Sequence, residues 1–229
     1  VRISVIVPVL DEATILRKFL VDLRQAAPNC ELIVVDGGSV DGSFELARDL
    51  SDQALQSARG RALQMNAGAK RASGDVLWFI HADSTIPHSA VDAITHALSD
   101  PKIIGGSLRL RIDGAHWIYP VRDSIANLLV DLGGAALGDR GLFCRRGVFF
   151  EIGGYPDVPL LEDGEFYRAL KRRGRVVQLR ETIGTSSRRY KKLGPLRTTL
   201  FYALIMLLYL ARVPVRMLAR LVIKPGRNT

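Results

Sequence analysis

Ile3-Ser4-Val5-Ile6-Val7-Pro8-Val9-Leu10-Asp11-Glu12 opens the chain with an apolar run that stops on two acids. An unbroken run of this kind suits a parallel strand buried on both faces, closed by its proline. Two later stretches share the form: residues 32–35 run into Asp36-Gly37-Gly38, and residues 76–80 into His81-Ala82-Asp83. Helical stripes lie between them. Ile15, Phe19, Leu20 and Leu23 mark a helix over 12–26, ended by Pro28-Asn29; Asp41-Gly42-Ser43 opens another over 44–50; a third covers about 61–72, and a fourth 89–98. The resulting β-α-β-α(α)-β-α alternation predicts an α/β fold with a parallel sheet and right-handed crossovers. Ligands of such sheets bind in the crevice outside the carboxyl ends of the strands. Three acid-tipped strand ends there point to a ligand with donor hydroxyls and a divalent cation, as a nucleotide-sugar has.

The rest of the chain is less regular. Residues 107–112 alternate like an edge strand, 117–132 read as a helix, and Gly138-Asp139-Arg140-Gly141-Leu142-Phe143-Cys144 reads as a loop running into a short strand. A helix over 162–173 and a last strand over 175–179 follow. The charge is uneven: net +9 overall, yet residues 182–229 carry ten basic residues and no acid, leaving the remainder close to neutral. Within that tail, residues 200–211 are continuously apolar, too short for a spanning helix, which needs about 20 residues. A hydrophobic helix flanked by cations, with Tyr202 and Tyr209, suits an anionic membrane interface; the alternative is a helix that pairs with the body or with a second subunit in a homo-oligomer. Its aromatics sit inside a leucine-rich run rather than as spaced stacking platforms, which favours lipid over nucleic acid. Cys30 and Cys144 stand far apart without metal-ligand spacing and read as buried thiols of a reducing compartment. The N-terminus enters a strand at once, with no signal-peptide pattern. A cytoplasmic protein, peripheral on the inner face of the membrane, is the expectation.

Four segments carry candidate chemistry. After the first strand, the turn at Pro8-Val9-Leu10-Asp11-Glu12 presents backbone groups and Glu12 to a ligand, or is an ordinary acidic helix start. In 35–43 the glycines allow close backbone approach and Asp36 can accept from a base N–H, whereas Asp41 and Ser43 suit turn and N-cap roles. The adjacent glycines and preceding acid are not the G-x-G-x-x-G dinucleotide pattern. Asp83, at a strand tip, suits a hard cation that also binds phosphate oxygens. Glu162-Asp163 provides a general base with a partner, or simply an acidic first helical turn.

Taken in order, Val5–Glu12, Val34–Ser43, Asn66-Ala67-Gly68 with Ala72-Ser73-Gly74-Asp75, Phe79–Asp83, Gly153-Gly154-Tyr155 and Glu162-Asp163 resemble the family 2 glycosyltransferases over about residues 1–190. The resemblance implies the GT-A fold, a Rossmann-like, mostly parallel sheet flanked by helices, here with a hydrophobic and basic helical tail over 195–229. It implies inverting transfer from a nucleotide diphosphate sugar, a UDP-sugar in first place, to an acceptor hydroxyl or carboxylate. Pro8, Leu10, Glu12, Asp36 and Gly37 would hold the nucleoside, with Arg61 contacting the nucleotide. Asp83 matches the last acid of the family's Asp-x-Asp motif and would bind Mg²⁺ or Mn²⁺. Asp163 matches the general base, with Gly154 and Glu162 on the acceptor side. His81 replaces the first acid of Asp-x-Asp and would touch ribose or phosphate. Ser186-Ser187-Arg188-Arg189-Tyr190 keeps only the arginine of the processive Gln/Arg-x-x-Arg-Trp motif, so Arg189 would clamp the diphosphate in a non-processive enzyme. The wording His-Ala-Asp resembles a small bacterial subgroup that includes carotenoid-acid glycosyltransferases. The tail agrees with a lipid or isoprenoid acceptor. A sugar-phosphate nucleotidylyltransferase is the second enzymatic reading, against which stands the lack of a glycine-rich, lysine-bearing loop after the first strand. A non-catalytic anionic-lipid-binding module is the third.

Overall fold

All seven residues of β1 (Ile3–Val9) are buried, as the unbroken apolar run requires. Pro8 does not end the strand: it pairs in register with Val35, and Val9 with Asp36. The carbonyl of Ile6 accepts from Ile80, so Pro8, two residues on, faces the same side, beyond the last paired residue there. Its missing N–H therefore costs no ladder bond.

The computed structural model describes residues 1–222, apart from the side chain of Arg189. The expected basic residues Lys224 and Arg227, and the clamp role of Arg189, lie outside the described residues. After β1 come α1 (Ala13–Ala26), β2 (Glu31–Asp36), α2 (Ser43–Leu50), β3 (Gln53–Gln56), α3 (Arg61–Arg71), β4 (Val76–Phe79), β5 (Ser84–Thr85) and α4 (Ala90–Ala97). The second half holds β6 (Ile103–Asp113), α5 (Ile118–Asp131), β7 (Phe143–Arg145), α6 (Arg146–Glu151), α7 (Glu162–Arg173), β8 (Arg175–Ser186), α8 (Arg188–Leu193), α9 (Pro195–Leu210) and α10 (Val215–Val222).

One sheet runs β3-β2-β1-β4-β7-β6-β8-β5. β3, β2, β1 and β4 are mutually parallel, β7 is antiparallel to both its neighbours, and β6 and β8 are parallel. The sheet is thus mixed and mostly parallel. β3 escapes a reading by pattern because Gln53-Ala54-Leu55-Gln56 is half-buried and polar at both ends. The last strand extends seven residues past the expected 179 because its half-buried, polar second half pairs with β6 and β5. Two cores sandwich the sheet: one under α1 and α4, including Val5, Val7, Leu16, Phe19 and Trp78, the other under α3 and α7, including Ile6, Met65, Phe79, Phe149 and Phe166.

Two buried polar side chains fix the crevice end. Gln64 Nε2 donates to the carbonyls of Val9 and Val35, each at 2.8 Å, and ties the tips of β1 and β2 to α3. Arg140, 1% exposed, donates to the carbonyls of Leu137 and Ala126 and to the side-chain oxygens of Asn127 and Gln178. Burial pulls its pKa down to about 10, still protonated at neutral pH. It braces the 138–142 loop against α5 and β8.

The inner face of α9 packs on the body. Tyr209 is buried with Leu137 and Leu218, and Arg168 stacks over its ring at 4.2 Å. Gly164 makes room: a Cβ there would lie 2.3 Å from Leu137 Cδ2 and 3.0 Å from the Tyr209 hydroxyl.

Replacing Gln64 by Leu removes both tip bonds from a buried site. It is expected to lower unfolding free energy by about 1–3 kcal/mol, read as a lower urea midpoint with unchanged slope.

Candidate active site

Two loops at the β1 and β2 tips brace each other. Asp36 is wholly buried, and its carboxylate accepts from the amides of Gly38 and Ser39. Gly37 donates to the Val9 carbonyl and sits against the Gln64 side chain. Asp11, in a left-handed conformation at φ 52°, accepts from Val40, and its own amide donates to Ser39 Oγ. Asp41 accepts from Ala13 and from both the amide and the hydroxyl of Ser43, while Ser43 Oγ accepts from the Glu12 amide. Asp41 and Ser43 are therefore turn residues, as read from sequence, but the N-cap of α2 falls on Gly42, with no side-chain cap, and Ser43 is the helix's first residue. The bracing leaves the Glu12 carboxylate facing Arg188: Nη2 lies 3.3 Å from Glu12 Oε2. The same Nη2 is 3.8 Å from Asp83 Oδ2, so one guanidinium spans acids from the tips of β1 and β4.

Past β4, His81 and Asp83 are half-buried. Burial, then the Arg61 cation, push the His81 pKa down to about 4, against the pull of Asp83 and Glu162, so the imidazole is neutral at pH 7. Ser84 donates a short hydrogen bond to Asp139 Oδ2, whereas Asp139 Oδ1 is buried without a hydrogen-bond partner. Burial drives the Asp139 pKa up to about 6; the Ser84 hydroxyl, nearby amides and Arg61 oppose it more weakly.

α7 brings the last acids. Leu161, just before it, holds a left-handed φ of 61°, a strained turn for a non-glycine residue. It delivers Glu162 and Asp163, each 8% exposed, to the crevice. Arg61 at the start of α3 reaches Glu162 at 3.6 Å. Desolvation lowers the Arg61 pKa, but Glu162, Asp163, Asp139 and Asp83 together outweigh it and hold the guanidinium charged. Burial, then the adjacent Glu162, raise Asp163 well above the ordinary carboxylate range, with Arg61 the opposing influence. Four acids from three chain segments thus act on one cation. Gly154, at φ 72°, lies in a turn clamped by Asn66, whose side chain bonds Tyr155 N–H and C=O.

The structure therefore gathers Glu12, Arg61, His81, Asp83, Glu162 and Asp163, places Asp36 and Gly37 in the adjoining loop beside the Pro8–Leu10 strand end, and sets Gly154 in the turn after α6. Two members escaped the sequence reading. Asp139 stands in a loop whose neighbours gave no pattern, and Arg188 has its guanidinium on the strand-tip acids. Among the described residues no three His, Cys, Asp or Glu side chains are grouped to hold a metal ion. Asp83, its side chain 32% exposed, fits a cation completed by substrate phosphate and water, the usual habit of Mg²⁺ in phosphate sites. A separate open cavity of about 300 Å³ between β6 and α5 includes Asp123 and Asn127, whose side chains already bond the β6 backbone.

The mixed, mostly parallel sheet flanked by helices has the GT-A architecture, and comparison with solved structures agrees. A mannosyltransferase from Pyrobaculum calidifontis, solved with GDP-Man and Mn²⁺, superposes with a TM-score of 0.72 at 22% identity, covering 93% of this chain and 65% of that one. TarS 1-349 of S. aureus with UDP-GlcNAc gives 0.66 at 16% identity, over 82% and 59%. Residues 4–149 match the model of Glycosyl transferase family 2, and the chain belongs to that family. Among curated relatives, an uncharacterized glycosyltransferase of Haemophilus influenzae is 30% identical over 98 residues, 39% of each chain. The undecaprenyl-phosphate 4-deoxy-4-formamido-L-arabinose transferase of Aeromonas hydrophila is 27% identical over 157 residues, 62% of this chain and 48% of that protein. The aligned region thus spans half or less of these two relatives.

A carboxyl whose pKa is raised on folding opposes stability once pH exceeds its unfolded value, and increasingly so through the raised one. Asp163→Asn is therefore expected to melt higher than the parent at pH 7.5, by about 2–4 °C for each 1 kcal/mol relieved. The gap should close as pH falls toward 4, a trend that differential scanning fluorimetry across pH measures directly.

Proposed function

We propose that the chain is a metal-dependent, inverting glycosyltransferase that moves a sugar from a nucleotide diphosphate sugar to a hydroxyl or carboxylate of a lipid-like acceptor. The observation that carries this reading is the convergence of Asp83, Asp139, Glu162 and Asp163 on Arg61. Separate strand tips and a helix start supply the groups that this chemistry needs, within reach of one ligand.

The nucleoside lies along the β1 and β2 tips, against Pro8, Leu10, Glu12 and Gly37, with Asp36 holding the loop in shape. Arg188 and Arg61 attract the diphosphate. Bound at Asp83, Mg²⁺ or Mn²⁺ supplies the charge that offsets the leaving diphosphate. Asp163 takes the proton of the acceptor as its oxygen forms the new bond to the anomeric carbon. The bond from that carbon to the diphosphate breaks on the opposite side, with inversion. A carboxylate with a raised pKa is a stronger base than an exposed one, which suits the task. For a carboxylate acceptor no proton need move. Asp139 Oδ1 is free to accept from a donor-sugar hydroxyl, and neutral His81 lines the diphosphate without adding charge. Glu162 and the Gly154 turn border the acceptor side. On the residues His81-Ala82-Asp83 alone, we read the chain as one of a small bacterial subgroup with histidine in place of the first motif acid.

Residues 1–194 form the catalytic domain and 195–229 a tail that leans on the cytoplasmic face of the membrane. The names of relatives support parts of this: one acts on undecaprenyl phosphate, and solved structures of the fold hold GDP-Man with Mn²⁺ or UDP-GlcNAc. A UDP-sugar is the favoured donor.

Asp163→Asn should cut transfer by at least about a thousandfold, leaving nucleotide diphosphate affinity within a factor of two. Loss of both, or of neither, removes Asp163 as the base. Asp83→Ala should weaken UDP or GDP binding in calorimetry with Mn²⁺ present and leave it unchanged with EDTA; equal weakening in both refutes a metal role. Asp139→Asn should lower affinity for the nucleotide-sugar but not for the free nucleotide.

A further inference from the structure

α5 turns an apolar face outward. Trp117 at its N-cap, then Val121, Ile125, Leu128 and Leu132, recur every three or four residues along one helical stripe. They are 48–75% exposed. The opposite side, with Tyr119, Asp123, Asn127 and Val130, is buried against the body, so the stripe is additional to the core face. α9 packs beside α5 and repeats the pattern. Thr198, Ile205 and Tyr209 face inward, whereas Leu196, Leu200, Leu204 and Leu207 are exposed. α10 adds exposed Met217 and Leu221 next to exposed Arg216 and Arg220. Single exposed leucines are ordinary, but contiguous stripes of this length mark an interaction surface.

Charge selects the partner. From Thr182 to Val222 the sequence has basic residues and no acid. The acids on α5 are already engaged, Asp123 with Arg122 and Asp131 with Arg109. A second copy meeting this face across a twofold axis would set cations against cations. An anionic bilayer offers apolar depth to the leucines and phosphate to the arginines, and tryptophan is at home in its headgroup layer. No described helix is long and apolar enough to cross a membrane, so contact is along the surface.

We infer that α5 and α9 together form a docking face for an anionic lipid surface. It extends the role proposed for the tail onto the catalytic body. α5 is tied to β6 by Asp123 and Asn127, which bond the backbone of Ile112 and Leu110. The face therefore holds the sheet, and the crevice at its strand tips, in one orientation to the bilayer.

The test is flotation of the full chain with phosphatidylcholine vesicles, with and without phosphatidylglycerol, alongside two double variants. Ile125→Glu/Leu128→Glu alters α5 alone, and Leu200→Glu/Leu204→Glu alters α9 alone. Wild type should float with the anionic vesicles, and each double variant should lose at least about tenfold in partition with an unchanged melting temperature. Parental binding by the α5 variant confines docking to the tail and overturns the inference. Parental binding by both variants, or none by wild type, removes the membrane role as well. A wild-type dimer that the α5 variant dissociates, with flotation unchanged, makes the face a seam between copies. Nucleotide-sugar binding reports separately on the transferase reading.

Discussion

Burying acids together is costly unless cations hold them, and at one end of this sheet two guanidiniums do so. Arg61 serves Glu162, Asp163, Asp139 and Asp83; Arg188 joins Glu12 to Asp83. The two arginines come from α3 and α8, more than a hundred residues apart, and neither touches all the acids. Removing either leaves carboxylates facing one another without the cation between them, a cost that water tempers because both guanidiniums are more than half exposed. The same crowding that strains the native state leaves Asp163 basic. Stability and the reactivity proposed for Asp163 pull against each other through one set of charges.

The sheet provides the stage for that crowding. Parallel strands β2, β1 and β4 end side by side, so whatever follows each strand lands in a single crevice. Gln64 fastens two of those ends to α3, and Arg140 sets the loop that carries Asp139. Neither side chain contacts the acids it helps to place. Their work is to remove freedom from loops that would otherwise bring carboxylates together only part of the time.

How much of this could be read from the chain follows from where the information resides. β1, β2 and β4 were legible because double-sided burial writes itself as unbroken apolar runs. Glu12, Asp83, Asp163 and the turn residues Asp41 and Ser43 were legible because they follow such runs or occupy turn signatures. β3 and the second half of β8 were not, since their residues are only half-buried and their pairing partners are remote. Asp139 and Arg188 were hidden for a related reason: each owes its place to contacts across 55 and 176 positions of sequence, with Ser84 and Glu12. The outward stripe of α5 reads in sequence as a plain amphipathic helix. Only the fold shows that a second, buried face already fills the core-facing role.

Tyr209 lies over Gly164, one residue from Asp163, with Arg168 stacked on its ring. The tail thus roofs the helix that carries Asp163 while its outward leucines stay exposed. A chain cut after Gly194 would uncover Leu137 and the first turn of α7, and with them part of the burial that raises the Asp163 pKa. Truncation therefore disturbs the proposed docking face and the proposed base at once, whereas changes on the outward side of α9 reach only the former.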